Sequence, residues 1–302
     1  ATALWARPGG AAIAVAGGGA MPRGAGLVVV AMNERGGHLF VPAEVNGRAA
    51  GMWLLDTGAG VDAIGMGLSG RLNLPREGRG AARGIGGVEA FDYVMVDRWG
   101  VGGVEMGTDR LARLNVHRFS RGTGVSMQGI AGFAGLRGLD FAIDYPAGEL
   151  WLGPAGWLAD SERDAGGRSV AVRIRGGVPR VRVVPEGGAP IELVLDTGAN
   201  GGIAMPRAYL LRYPEVVAVG SLSASASRGV GGTSRQHATW LRAVEVFGVR
   251  MEGVAVRFEE GDGSATIGRV GYDVLRHFRL AFSEGGTRLT ATYVGEEVDD
   301  GR

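Results

Sequence analysis

The chain carries one short pattern twice, 140 residues apart: an apolar run that ends in Asp-Thr-Gly-Ala. The first copy is MWLLDTGAG, with Asp56, Thr57 and Gly58; the second is IELVLDTGAN, with Asp196, Thr197 and Gly198. In a sequence with 57 glycines among 302 residues, one Asp-Thr-Gly would arise by chance in on the order of one chain in ten. Taken alone it reads as a polar turn after a strand. Two copies at the ends of matching apolar runs are far more restrictive, because they imply a chain built from two related halves.

The same offset holds upstream without a gap. Gly36-Gly37 falls on Gly176-Gly177, Val41 on Val181, Gly47 on Gly187 and Leu55 on Leu195, so HLFVPAEVNGRAAGMWLLD matches VPRVRVVPEGGAPIELVLD in length and pattern. Both stretches read as short strands separated by glycine turns at Gly-Gly, Asn46-Gly47 and Gly187-Gly188, where a positive φ is tolerated. Downstream, Gly84, Ile85, Gly86 and Gly87 follow the first aspartate, and Gly229, Val230, Gly231 and Gly232 follow the second. Gly129-Ile130-Ala131-Gly132 then answers to Ala265-Thr266-Ile267-Gly268. Each is followed by a short helix-like segment and a closing strand, near 141–152 and 278–293. The expected organisation is a Gly/Ala-rich segment over 1–25, a lobe over 26–152, a linker over 153–167 and a second lobe over 168–302. The expected fold is all-β: two similar closed-barrel lobes related by a pseudo-two-fold axis, each with a short helix near its C-terminal end.

Composition narrows the chemistry. With no cysteine, disulfides, thiol catalysis and cysteine-ligated metals are excluded. A net charge of +1 with dispersed arginines gives no basic face for nucleic acid. Apolar runs such as 27–32 are far too short to span a bilayer. The four histidines, His38, His117, His237 and His277, have no metal-ligand spacing, and structural roles are expected for them. Gly84–Gly87 lacks the spacing and context of a phosphate loop. The serine run 221–227 has no local His and Asp to activate it.

What remains is chemistry by two carboxylates. Two aspartates about 3 Å apart cannot both ionise, so they share a proton. The ionised one takes a proton from water and the protonated one donates to a carbonyl oxygen. Asp56 and Asp196 are the candidate pair, one from each half. Gly58 and Gly198 let the two loops approach closely, and Thr57 and Thr197 offer hydroxyls to hold the loops in register. Ala59 and Ala199 have no hydroxyl to donate to the ionised pair, so a mildly acidic pH optimum is expected.

On these residues the sequence resembles the aspartic proteases, specifically the retropepsin-like family in its bacterial form. Leu55-Asp56-Thr57-Gly58-Ala59 and Leu195-Asp196-Thr197-Gly198-Ala199 carry the resemblance, with Ile130-Ala131-Gly132 and Thr266-Ile267-Gly268 as the segments that pack under each aspartate loop in that family. Ile267-Gly268-Arg269 is close to the retroviral form, and the run from Gly271 to Phe278 to the bacterial one. Gly60 and Asn200 stand where many retroviral members carry Asp, so Arg269 is expected to lack that partner, and Phe133 follows Gly132 in place of Arg. The resemblance covers about residues 26 to 295. It implies a single-chain pseudo-dimer acting as an endopeptidase on peptide or protein substrates, without cofactor or metal. It also implies two flaps tipped by Gly84–Gly87 and Gly229–Gly232; Tyr93 and Trp240 are the candidate flap aromatics. Export to the periplasm or beyond is expected over the cytoplasm. The alternative on the same fold is an inactive peptide-binding or assembly module.

Overall fold

A computed structural model describes residues 27–84, 87–118, 123–158, 167–218, 223–229, 232–260 and 268–294. The expected segment 1–25, the tips Ile85-Gly86 and Val230-Gly231, and Thr266-Ile267 lie outside these described residues.

Alternation along the strands explains the architecture. In His38–Val45 every second residue, Leu39, Val41, Ala43 and Val45, is buried, as a strand with one face on a core requires. The chain then reverses at Asn46 and Gly47, whose φ angles of 50° and 72° suit a tight hairpin turn. It returns as Arg48–Asp56, which buries Trp53 and Leu55 in the same core. Trp53 stacks on Trp99 with ring centroids 5.0 Å apart.

The described residues are mostly strand, and they form three sheets. One ten-stranded sheet comes from the first half of the chain. Its order is Arg76–Gly84, Gly87–Met95, Arg110–Leu114, Ala63–Gly65, Met127–Gly132, Arg48–Asp56, His38–Val45, Trp99–Val101 and Val104–Glu105, with Asn33–Arg35 beside His38–Val45. The second ten-stranded sheet comes from the second half. Its order is Ser223–Gly229, Gly232–Trp240, Ala255–Glu259, Ile203–Pro206, Arg269–Val270, Ile191–Leu195, Val178–Pro185, Ala243–Val246 and Val249–Glu252, with Arg173–Arg175 beside Val178–Pro185. Strand for strand, the two orders correspond.

Neither sheet closes on itself, so the closed barrels expected from the sequence are not formed. Each path ends in a two-stranded hairpin on one side and a short strand, Val104–Glu105 or Val249–Glu252, on the other. No ladder joins these edges. The expected short helices are present at Phe133–Leu136 and Tyr272–Leu275. Two further ones, Met66–Arg71 and Arg207–Arg212, follow the aspartate loops. The expected linker is partly structured: Gly153 ends a strand, and the turn after it is tied down where Gly156 and Leu158 donate backbone N–H groups to Asp140 Oδ2 at 2.9 and 3.0 Å.

The third sheet joins the halves. Its six strands run Val28–Ala31, Glu149–Gly153, Asp140–Asp144, Phe278–Ser283, Arg288–Tyr293 and Arg168–Ala171, three from each half. At its centre Phe141 pairs with Phe282, and their rings stack at 4.6 Å in full burial. Because this core belongs to both halves, Phe282→Ala should cost about 3–5 kcal/mol. Urea unfolding followed by tryptophan fluorescence and by far-UV circular dichroism should give one coincident transition. Two separated transitions would show that the halves unfold independently.

Candidate active site

Each aspartate sits where a strand runs out into a turn. Leu55 and Leu195 are fully buried, and the following turns close with Ala59 N–H on Asp56 O at 3.1 Å and Ala199 N–H on Asp196 O at 3.3 Å. A second strand lies parallel to each first one: Ala131 and Gly132 beside Leu55 and Asp56, and Val270 beside Leu195. The residue after each parallel segment reaches back to the turn, Phe133 N–H to Ala59 O and Tyr272 N–H to Ala199 O, both at 2.9 Å.

This register corrects one sequence correspondence. The residues that answer to Gly129–Gly132 are Gly268, Arg269, Val270 and Gly271, three positions later than the Ala265–Gly268 match. The glycine of Ile267-Gly268 is therefore the first of the segment and not its last. Arg269 takes the place of Ile130; without an Asp at position 60 or 200 it pairs instead with Glu259 and lies 3.9 Å from Asp196 Oδ2.

The two turns are locked to each other by four buried hydrogen bonds. Thr57 Oγ1 donates to Leu195 O at 2.6 Å and accepts from Thr197 N–H at 3.1 Å. Thr197 Oγ1 donates to Leu55 O at 2.8 Å and accepts from Thr57 N–H at 3.0 Å. Both threonines are fully buried, so each of these groups would be costly to leave unpaired. The glycines permit the approach. A Cβ on Gly58 would fall 2.5 Å from Asp196 Cγ, and one on Gly198 would fall 2.7 Å from both Asp56 carboxyl oxygens. Asp56, Thr57, Gly58, Asp196, Thr197 and Gly198 are thus brought to one point, with the two carboxyl groups near enough for each to shift the ionisation of the other.

The pair is electrostatically unequal. Burial, and then the facing charge of Asp196, push Asp56 well above the ordinary carboxylate range. Burial also raises Asp196, but the Arg269 guanidinium opposes it. Arg269, 3.9 Å from Asp196 Oδ2, favours the charge on Asp196 over Asp56. His38 also lies on the Asp196 side. Burial lowers its pKa, against a hydrogen bond with the Gly198 backbone and the charge of Asp196. Tyr145 lies near too, its hydroxyl buried without a partner and its pKa raised by burial. In the other half Val178 stands at the position of His38.

The sequence reading missed Asp62. Its carboxylate accepts from Gly132 N–H at 2.9 Å and from Thr108 Oγ1 at 2.8 Å, and Thr108 Oγ1 in turn accepts from Trp99 Nε1 at 2.9 Å. In the second half the turn is one residue longer, and Gly271 N–H finds the backbone oxygen of Gly202 at 2.8 Å. The shorter first turn needs a side-chain acceptor, which Asp62 provides; buried Ile203 occupies its place in the second. No pattern in the sequence marks this role, because it follows from a one-residue difference in turn length.

The flap candidates lie at the ends of two antiparallel hairpins. Gly84 pairs with Gly87 and Gly229 with Gly232; the two tip residues of each hairpin lie outside the described residues. Tyr93 lies in the first hairpin under Arg110, whose guanidinium is 4.1 Å from the ring centroid. Trp240 ends the second and is 58% exposed. Among the described residues no three His, Asp or Glu side chains are grouped to hold a metal ion, and no helix is long and apolar enough to cross a membrane. No protein-family model matches the chain, and no curated protein matches it.

Burial raises the Asp62 carboxyl to about 6, against the hydrogen bonds that favour its ionised form. A group raised on folding lends stability that is fully present below its unfolded value near 4 and lost as pH rises through 6. The unfolding free energy of the wild type, less that of Asp62→Asn, should therefore fall by about 2 kcal/mol between pH 4 and 7. Denaturant titrations across that range test this; parallel curves for the two proteins would contradict it.

Proposed function

We propose that the protein is a retropepsin-like aspartic endopeptidase whose two half-sites lie in one chain. Its lobes, residues 26–152 and 168–302, are related by a pseudo-two-fold axis that passes between Asp56 and Asp196. The observation that carries this reading is the reciprocal Thr57–Thr197 bonding, which holds two Asp-Thr-Gly turns face to face with each carboxyl group against the opposite glycine. A structural turn has no need of such an arrangement, since it buries two carboxyl groups against each other at a cost in desolvation and repulsion.

The chemistry follows from the asymmetry of the pair. A water held between the carboxyls attacks the peptide carbonyl carbon while Asp196 takes its proton. Asp56 gives its proton to the carbonyl oxygen, leaving a neutral gem-diol. Return of a proton from this diol to Asp56, with transfer of the proton held by Asp196 to the amide nitrogen, breaks the C–N bond and restores the pair. The hairpins ending at Gly84/Gly87 and Gly229/Gly232 close over an extended substrate, which binds as an added strand.

Two measurements test this reading. Asp56→Asn and Asp196→Asn should each lower kcat/KM on a cleavable peptide by at least about 100-fold, with the circular dichroism spectrum unchanged. Near-wild-type turnover by either variant would remove the dyad assignment. The second is a pH profile. The charged and titratable groups around the pair are Arg269, Glu259, His38 and Tyr145, and Arg269 holds Asp196 down. Arg269→Met should therefore move the acidic limb of kcat/KM to higher pH, because the base then protonates more readily. A limb that stays in place, or moves down, would show that Arg269 does not set the ionisation of the pair.

A further inference from the structure

The two ten-stranded sheets correspond strand for strand, but the rows of side chains beside the aspartates do not. In the first sheet, one row of cross-strand neighbours reads Phe40, Leu54, Ile130, Ala63, Ala112. The same row of the second sheet reads Arg180, Val194, Arg269, Ala204, Arg257. Cross-strand neighbours point to one face of a sheet, and Arg269 places that face on the dyad side, since its Nε lies 3.9 Å from Asp196 Oδ2. The first row belongs to an apolar cluster that reaches Ala59, the residue beyond the first Asp-Thr-Gly. The substitution continues two residues along the neighbouring strand, where Leu114 in the first sheet is answered by Glu259 in the second. Glu259 has Gln236 beside it, and both are buried.

The charges in the second row do not cancel. Arg269 is engaged by Glu259 and Asp196. Arg180 and Arg257 have no carboxylate partner among the described residues. Arg180 Nε is buried without a hydrogen-bond acceptor, and the Arg257 guanidinium makes only a long contact, 3.4 Å, to the Asn200 carbonyl in the loop after the second Asp-Thr-Gly. A partly buried guanidinium without a counter-charge costs stability. Its planar fork of donors matches a carboxylate better than any other peptide group.

We propose that the substrate cleft has an arginine wall on the Asp196 side, where the matching row on the Asp56 side is buried and apolar, and that Arg180 and Arg257, on opposite sides of Arg269 in that row, each offer a separate site for a carboxylate of the substrate. This rests on the peptidase reading and adds a substrate class to it. The bound peptide carries a carboxylate against one of these arginines. That carboxylate comes from an Asp or Glu side chain or from the peptide's own C-terminus.

The test uses peptides identical except for Glu, Gln or Leu at each residue flanking the scissile bond, each with a free or an amidated C-terminus. Cleavage is measured with wild type, and binding by calorimetry with the Asp56→Asn protein. The expected result is at least a tenfold preference for Glu over Gln at one flanking position, in kcat/KM and in Kd. A preference that follows the free C-terminus instead supports the same arginine wall with the terminus as its ligand. The double variant Arg180→Phe, Arg257→Ala copies the first row and should bring the Glu-to-Gln ratio close to one; Arg257→Gln alone should reduce it if the double variant does not fold. If the wild type cleaves nothing but Asp56→Asn still binds the Glu peptide tenfold more tightly, and the arginine variants lose that preference, the carboxylate site stands and the peptidase reading falls. Cleavage or binding indifferent to the carboxylate, a preference unchanged in the arginine variants, or no binding of any peptide would overturn the inference.

Discussion

Everything at the centre of this molecule depends on two threonine hydroxyls that each bond across to the other half of the chain. Thr57 and Thr197 donate to the carbonyls of Leu195 and Leu55 and accept from each other's backbone N–H. The arrangement is reciprocal, so neither turn has its hydrogen bonds satisfied without the other. It is fully buried, so water cannot replace a lost partner. The consequence is a fixed separation between Asp56 and Asp196. The absence of a Cβ at Gly58 and Gly198 leaves room for the two carboxyl groups.

Rigid elements carry that lock. The turns hang from strands whose Leu55 and Leu195 are buried in one continuous core, and the parallel segments ending at Gly132 and Gly271 brace them from the side. The six-stranded sheet, with Phe141 stacked on Phe282, ties the halves together again at a second place. Two separate attachments resist a relative rotation that one alone would allow, and the proposed proton transfer needs donor and acceptor held within hydrogen-bond reach.

The correspondence of the halves stops at the side chains around the carboxyls. Arg269 stands against Ile130, His38 against Val178, and Asp62 against Ile203. These differences give the pair unequal surroundings, with the Arg269 cation beside Asp196 alone. Two identical half-sites would leave the proton shared evenly until a substrate broke the tie. Here the surroundings already differ, and the same difference leaves one row beside the pair apolar and gives the other its arginines.

The sequence by itself determined the all-β class, a short helix near the C-terminal end of each half, the hairpins ending at Gly84/Gly87 and Gly229/Gly232, and the pairing of the two Asp-Thr-Gly turns. These rest on local signals: strand alternation, glycine turns and a repeated motif with a constant spacing. Tertiary structure decided the rest. The sheets stay open because closure depends on how distant edges meet, which no local pattern records. Arg269 was placed beside Glu259 and Asp196 by strand register, and a search for Ile-Gly in the sequence misses that register by three residues. Asp62 became the anchor of Gly132 only because the first turn is one residue shorter than the second. The arginine row was equally hidden: Arg180, Arg257 and Arg269 are far apart in sequence, and parallel and antiparallel pairing bring them to one face.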